Sequence, residues 1–260
     1  METKYTILSR KDKTLLEKVI LRCGSKASLS EIRSVFLSEY KDDSNLGKRI
    51  TFLSKQGWLV KLKGGLYYVN TDITTLNATS LSLLTLANYI VSDSYVSFAM
   101  ALNYYNMFDQ LVDGVDSVAK SKTNQFNFQG KTFRYFHVKA ELFFGYQEVT
   151  IENRITRVAE KEKIIIDYLY LKRNESTISM IREKLSEFSS EFDFEKLIEY
   201  ATQTNSQTVI KSLGVILDSL KQNSDALARD IKKTGYSKLT KESKLFNAKW
   251  RIYYDDRILK

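Results

Sequence analysis

The chain has 260 residues, of which 43% are hydrophobic and 27% are charged, and its formal net charge is +9. This balance is typical of a folded globular protein and excludes long disordered stretches. The single cysteine, Cys23, excludes an internal disulfide and a metal–thiolate cluster. We expect it to be a packed core thiol, because it ends an apolar helix that contains Leu15.

No run of apolar residues approaches the ~18 that a membrane-spanning helix needs. The amino-terminal residues include several basic side chains and lack the apolar core of a secretory signal. We therefore expect a cytoplasmic protein that has no membrane partner.

Length and charge distribution both indicate more than one domain. A chain of this length is large for a single hydrophobic core. Residues 1–70 hold 14 Lys and Arg against 7 Asp and Glu, residues 71–228 hold 16 against 20, and residues 229–260 hold 10 against 4. A concentrated basic patch is typical of phosphate binding, whereas an even spread would only raise solubility. We predict two domains, over residues 1–75 and 76–260.

The segment from residue 28 to residue 70 predicts two helices joined by a polar turn, followed by a β-hairpin. In the second helix, Leu46, Ile50 and Leu53 recur at spacings of four and three residues, which places them on one inward face. The helix ends at Gly57. The outward face then carries Lys48, Thr51 and Lys55, with Asn45 and Phe52 at one flank and Arg49 at the edge of the apolar stripe. These residues are the candidates for reaching a DNA groove.

The hairpin is predicted to close at Gly64 and Gly65, which can adopt the positive φ values of a two-residue turn. Counting outward from this turn pairs Leu62 with Tyr67 and Val60 with Val69 on the face that packs on the helices. Both lysines beside the turn would be exposed, because the other face would carry Lys61, Lys63, Leu66 and Tyr68.

Together these features predict an amino-terminal winged helix-turn-helix domain. Asn45, Lys48 and Thr51 would enter the major groove, and the DNA phosphates would be held by Arg49, Lys55, Lys61 and Lys63. Two other interpretations stay open: a lysine face that is merely solvated, and a basic hairpin of SH3-like or ribosomal type.

The remainder of the chain predicts a larger mixed α/β domain, so that the whole protein belongs to the α+β class. Helices are predicted at residues 80–90, 97–108, 160–172, 178–188, 194–204 and 206–222. Strands are predicted at residues 115–119, 132–138, 149–158 with a turn at Asn153, and 247–254 around Trp250.

A second basic patch lies near the carboxyl terminus. It is either a solvated surface or a second site that faces nucleic acid or a protein toxin. Its members are Lys232, Lys233, Lys238, Lys241, Lys244, Lys249 and Arg251.

Candidate catalytic groups are few. Glu160, Glu162 and Asp167 have no His or Cys nearby in sequence, so we expect the two glutamates to stabilise a helix amino terminus and Asp167 to make a hydrogen bond at the edge of a buried stripe. His137, the only histidine, is expected to be structural. The sequence has no Gly-rich phosphate loop and no Gly-x-Ser-x-Gly motif. We predict no enzymatic activity, no metal site and no cofactor.

Four segments carry a family resemblance: SYVSFAMALNYYNMFDQ, FRYFHVKAELFFGYQEV, RVAEKEKIIIDYLYLKR and FNAKWRIYYDD. Together they resemble the AbiEi family of type IV antitoxins, which are bacterial transcriptional regulators of abortive-infection systems. The most specific piece is the family's A-x-x-E-K-A-L-x-D-like helix, found here as AEKEKIIID over residues 159–167. This version departs from the family pattern in having no small apolar residue after the Glu-Lys pair.

The resemblance implies a winged helix joined to a larger antitoxin domain. It also implies repression of the protein's own operon through repeats in the promoter, and action against a nucleotidyltransferase-like toxin encoded beside it. The implied partners are double-stranded DNA, bound by more than one copy of a protein that is monomeric in solution, and the toxin, with or without direct contact. Two alternatives are a generic winged-helix regulator and a module whose basic surface docks on a partner protein. In a third alternative, this protein would itself be an enzyme that acts on a covalent modification of the toxin, and Asp167 would be required for that activity.

Overall fold

The computed structural model describes residues 8–40, 44–71, 73–76, 81–110, 112–232 and 234–259. Within them the chain forms two compact units. The first comprises Met1–Ser92 and Phe126–Lys131, and the second comprises Asp93–Gln125 and Thr132–Lys260. No helix in these described residues is long and apolar enough to cross a membrane.

The helices and strands alternate along the chain in a mixed α+β order. The helices are α1 (Arg10–Cys23), α2 (Leu29–Tyr40), α3 (Leu46–Lys55), α4 (Leu83–Ile90), α5 (Phe98–Tyr104), α6 (Lys161–Leu171), α7 (Glu175–Glu187), α8 (Phe194–Gln203), α9 (Gln207–Ser219) and α10 (Asp225–Arg229). The strands are β1 (Lys26–Ser28), β2 (Leu59–Lys63), β3 (Leu66–Val69), β4 (Ser94–Val96), β5 (Gly114–Ala119), β6 (Phe126–Phe128), β7 (Lys131–His137), β8 (Tyr146–Ile151), β9 (Arg154–Ala159), β10 (Ser237–Lys238), β11 (Leu245–Asn247) and β12 (Ile252–Tyr254).

Three helices and a small antiparallel sheet enclose the core of the first unit. Helix α2 begins at a reciprocal cap, in which the Ser28 N–H donates to Glu31 over 2.6 Å and the Glu31 N–H donates to the Ser28 hydroxyl over 3.2 Å. The sheet has the strand order β1-β3-β2. The core between the helices and this sheet includes Leu15, Leu16, Val19, Ile32, Val35, Phe36, Leu46, Ile50, Leu53, Trp58, Leu59 and Val69.

The predicted register of the hairpin is wrong beyond the turn. Lys63 lies opposite Leu66, but Lys61 then lies opposite Tyr67 and Val60 opposite Tyr68, so the predicted pairs Leu62–Tyr67 and Val60–Val69 do not form. The reason is a β-bulge, because Leu62 is an extra residue on β2. The bulge lets both Leu59 and Leu62 turn inward, and it places Tyr68 inside instead of on the lysine face.

Helix α4 belongs to the first unit, so the division of the chain falls after Ser92 and not after residue 75. The Tyr89 hydroxyl on α4 lies 3.4 Å from the Ser25 hydroxyl. The Lys26 ammonium lies 5.5 Å from the centre of the Tyr89 ring. These contacts attach α4 to the chain at β1, which is distant in sequence and could not be identified from local patterns.

A mixed sheet forms the centre of the second unit, where its strands follow the order β7-β5-β4-β9-β8. Strands β5 and β7 are parallel, whereas β8 and β9 form an antiparallel hairpin. The hairpin turns at Glu152 and Asn153, which have φ values of 51° and 59°, as the predicted turn at Asn153 requires. Most residues of helices α6 and α9 are buried, among them the charged Lys163 and Asp167 of α6.

The predicted strand at residues 247–254 is two strands with a turn between them. The Asn247 side chain accepts a hydrogen bond from the Trp250 N–H over 3.1 Å, which closes the turn. Arg251 has a φ of 51°, and the chain reverses so that β11 and β12 pair antiparallel in a sheet of order β10-β12-β11. Trp250 is fully buried in this turn and is not part of a strand.

Candidate nucleic-acid interface

Helix α3 has one buried face and one exposed face. Leu46, Ile50 and Leu53 are buried, as the sequence predicts. The predicted groove residues that are exposed are Asn45, Lys48, Thr51 and Lys55. The Thr51 hydroxyl donates to the Gly47 carbonyl over 2.8 Å, which leaves its oxygen available as an acceptor. Neither Lys48 nor Lys55 makes an ion pair within the described part of the chain.

Arg49 lies at the edge of the apolar stripe and contacts the first helix. Its Nε atom lies 2.8 Å from Oδ1 of Asp12, whose side chain is almost fully buried. A buried carboxylate needs such a partner, because an unpaired charge in the interior is costly. The structure therefore places Arg49, predicted to hold a phosphate, in an ion pair that joins α3 to α1.

The two hairpin lysines differ in exposure. Lys61 is exposed as predicted, whereas Lys63 is half-buried and its Nζ atom lies 5.8 Å from the centre of the Phe126 ring. Burial, followed by the charge of Lys63, lowers the pKa of Lys26. Lys26 is thus part of the same basic surface. No local sequence pattern indicates this role of Lys26, because strand β1 joins the hairpin only through its pairing with β3.

The second basic patch is partly committed to internal contacts. Lys249 lies 2.9 Å from Oδ1 of Asp218, and the Arg251 Nε donates to the Gly235 carbonyl over 3.0 Å. Lys249 is nevertheless exposed, as are Lys232, Lys238, Lys241 and Lys244. Lys233 lies outside the described residues.

Asp218 connects this patch to the core. It accepts hydrogen bonds from Nε1 of Trp250 over 2.6 Å and from the Ser224 hydroxyl over 2.5 Å. Burial alone would raise the pKa of Asp218, but the hydrogen bonds from Ser224, Trp250 and Lys249 outweigh it and hold the pKa below its usual value. Asp218 therefore fixes the turn that carries Trp250.

Asp167 sits in a buried polar cluster of the second unit, and not at an edge. Its partners are the Lys163 ammonium one turn earlier on α6, the Ser97 hydroxyl at 2.8 Å and the Tyr95 hydroxyl at 3.3 Å. Phe144 covers the ammonium of Lys163, with the ring centre 4.8 Å away. Burial and the charge of Asp167 raise the pKa of Tyr95 well above its usual value. These contacts satisfy the carboxylate from several sides.

The two glutamates at the start of α6 bind neighbouring elements. Glu160 occupies the N-cap position and accepts hydrogen bonds from the Tyr200 hydroxyl and, over 3.0 Å, from Lys196. Glu162 accepts a hydrogen bond from the Asp193 N–H over 3.0 Å. Both side chains thus hold α8 against α6 besides lying at a helix amino terminus.

The other two singled-out residues are less enclosed than expected. His137, at the end of β7, is exposed, so its side chain is not packed in the core. Cys23 is half-buried against the core of the first unit, and burial raises the pKa of its thiol.

A charged cluster that no sequence pattern indicates lies beside the central sheet. Arg134 holds Asp116 through two hydrogen bonds of 2.6 Å and 3.2 Å, and Lys172 contacts the same carboxylate. Burial lowers the pKa of Lys172, whose ammonium lies 3.9 Å from the centre of the Phe98 ring. The parallel pairing of β5 and β7 places Asp116 opposite Arg134, a register that sequence alone does not give.

The fold defines a mixed α+β protein of two units with a basic, partly exposed helix face in the first. No family model matches the sequence, and no curated protein matches it. Its fold is similar to that in the crystal structure of the RV2827C protein from Mycobacterium tuberculosis, with a TM-score of 0.64 and 10% sequence identity. The match covers 98% of this chain and 95% of that chain, so the likeness of fold extends over both units.

Proposed function

We propose that the first unit is a winged helix-turn-helix domain that binds double-stranded DNA. The observation that carries this proposal is the exposed face of α3, where Lys48, Thr51 and Lys55 lie opposite a buried apolar stripe and the N-cap residue Asn45 is exposed beside them. A helix that is anchored on one side and basic on the other can enter the major groove.

The order of elements in the first unit supports the same interpretation. After α1, a short strand is followed by two helices and then by a hairpin whose second strand, β3, pairs with that first strand. The hairpin extends from the end of α3 and carries Lys61 at its exposed surface. It would serve as the wing.

In this arrangement the exposed residues divide into two roles. Asn45, Lys48 and Thr51 would contact base edges, which specify sequence, whereas Lys55 and Lys61 would contact phosphates, which fix register. Lys63, being half-buried, would contribute mainly through its charge. Arg49 would act indirectly, because its ion pair with Asp12 sets the position of α3 on the domain.

We further propose that the protein is an autorepressor and antitoxin similar to the AbiEi family, acting in the bacterial cytoplasm against a nucleotidyltransferase-like toxin. The second unit would carry the antitoxin function without catalysis. Two features support this: residues 71–228 have more acidic than basic side chains, unlike a DNA-binding surface, and Asp167 is enclosed by Lys163, Tyr95 and Ser97.

A binding titration on the upstream promoter tests the DNA-binding proposal. Fluorescence anisotropy would measure the affinity of three proteins for the promoter duplex and for a scrambled duplex. The proteins are the wild type, the double variant Lys48→Ala with Thr51→Ala, and the single variant Lys61→Ala. Loss of Lys61 should weaken binding to both duplexes. It should also reduce the magnitude of the slope of log affinity against log salt concentration by about 0.9. The variant of Lys48 and Thr51 should lose most of its preference for the promoter.

Lys13→Ala is the matched control, because it removes one exposed positive charge from α1 of the same unit. It should leave the affinity and the salt slope nearly unchanged. Binding without any preference for the promoter, together with equal effects of Lys13 and Lys61, would contradict the proposal. That result would favour the alternative in which the basic surface docks on a partner protein.

A further inference from the structure

The last sheet of the second unit has an exposed aromatic face. Tyr253 lies in the middle strand, with Lys238 of β10 and Phe246 of β11 directly opposite it on either side. Paired residues of neighbouring strands point to the same face, so these three side chains form a row across the sheet. We refer to this row, together with Tyr236 and Lys244, as the aromatic face.

On the opposite face of the same sheet, the middle strand is turned to the interior. Ile252, which precedes Tyr253, is fully buried, whereas Phe246 is 50% exposed and Tyr236 is 66% exposed. Tyr236 meets the Tyr253 ring edge-on with 5.3 Å between the ring centres, and Phe246 meets it with 5.1 Å between the centres. The half-buried Tyr253 ring thus contacts two exposed aromatic rings at the protein surface.

Positive charges accompany these rings. Lys238 is a member of the row itself, and Lys244 continues β11, since its N–H donates to the Tyr254 carbonyl over 3.1 Å. Neither lysine makes an ion pair in the part of the chain that the structure describes. Asp255, which follows β12, is engaged by Arg257 at 2.7 Å, and hydrogen bonds from Arg257, with a smaller effect of the Lys244 charge, lower the pKa of Asp255 to about 2.

We propose that the aromatic face binds single-stranded nucleic acid. Exposed rings stack on unpaired bases of any sequence, and adjacent lysines contact the backbone phosphates. A duplex offers no free base faces, so it would use only the lysines. The positive charge favours a polyanion over a neutral or basic protein surface. The proposal does not depend on DNA binding by the first unit, because it uses none of the residues of α3 or the hairpin.

The test is a titration of the full chain, in the background Lys48→Ala with Lys61→Ala, against fluorescein-labelled decamers of thymidylate and uridylate. Both decamers should bind with similar affinity, because stacking and phosphate contacts do not use the 2′-hydroxyl group. Phe246→Ala and Tyr236→Ala should each weaken binding about fivefold or more. Lys238→Ala should reduce the salt slope by about 0.7.

Leu245→Ala is the matched control. Leu245 is 49% exposed and adjacent to Phe246, but it points to the other side of the strand. Its removal should not change the affinity, and thermal unfolding of each variant would confirm that the fold is intact. The proposal is overturned if folded Phe246→Ala and Tyr236→Ala bind as the parent does, if Leu245→Ala weakens binding equally, or if an unlabelled duplex competes as well as the single strand. Selective binding of an acidic peptide in place of the decamers would also overturn it.

Discussion

At the scale of single residues, the ion pair of Lys163 and Asp167 is the most enclosed charge interaction described. The two side chains are only 3% and 2% exposed. Removing one member of a buried pair leaves an uncompensated charge, which is far more costly than losing a surface pair. We expect Asp167→Ala to lower the free energy of unfolding by about 3 kcal/mol, measured by urea denaturation.

A second ion pair, which has one member on the same helix, provides the control. Lys161 lies 2.8 Å from Glu191 at the surface, and Glu191→Ala should cost about 0.5 kcal/mol or less. Replacing the buried pair by Lys163→Met with Asp167→Leu should restore much of the loss, because no charge is then left without a partner. Equal small effects of Asp167→Ala and Glu191→Ala would show that the buried pair does not stabilise the fold.

The sequence predicts residue environments best where one helix determines them. The stripe of Leu46, Ile50 and Leu53 follows from helical spacing, and the structure confirms it. The contacts of Arg49 with Asp12 and of Asp167 with Ser97 join residues far apart in sequence, and no local pattern encodes them. For the same reason the role of Lys26 in the basic surface could not be predicted.

At the scale of elements, the contact of helix α9 with the Trp250 turn is the tightest described packing of a glycine. A Cβ atom at Gly214 would lie 2.2 Å from the Trp250 ring, which is far inside van der Waals contact. Because the ring is fully buried and held by Asp218, it cannot retreat easily. Gly214→Ala should therefore destabilise the second unit by about 2 kcal/mol, as overpacking does. Chemical denaturation followed by tryptophan fluorescence would measure this change.

Gly47→Ala is the matched control for that substitution. Gly47 also lies inside a helix, but a Cβ atom there would meet nothing within 4 Å. Alanine is the better helix former, so this variant should be neutral or more stable by about 0.5 kcal/mol. A Gly214→Ala variant as stable as Gly47→Ala would mean that the indole ring relocates at little cost.

Elements themselves are largely predictable here, but their pairing is not. The helical patterns at residues 160–172 and 206–222 correspond to α6 and α9, with ends shifted by one to three residues. The predicted hairpin register was wrong because a bulge at Leu62 adds one residue to β2. The alternation of apolar and polar residues does not reveal such a bulge. The prediction of one strand at residues 247–254 was wrong because Trp250, whose side chain favours strands, is packed in a turn.

At the scale of the whole molecule, the two units have separate cores, and each unit holds one of the two tryptophans. Trp58 is buried in the core of the first unit, and Trp250 is buried in the second. The sequence indicated two domains from length and charge, but it placed the boundary too early. The passage of residues 126–131 back into the first unit depends on the folded arrangement and has no signature in composition.

Unfolding should therefore occur in two steps that the tryptophans report separately, because domains with their own cores need not unfold together. In Trp58→Phe, tryptophan fluorescence reports only on Trp250 and therefore on the second unit. Far-UV circular dichroism should show two unfolding transitions in urea. We expect the midpoint of the fluorescence curve to differ from the midpoint of at least one of them. Adding Gly214→Ala to this variant should lower the Trp250 midpoint and leave the other transition in place. Coincident fluorescence and dichroism curves that shift together with Gly214→Ala would show instead that the two units unfold as one cooperative body.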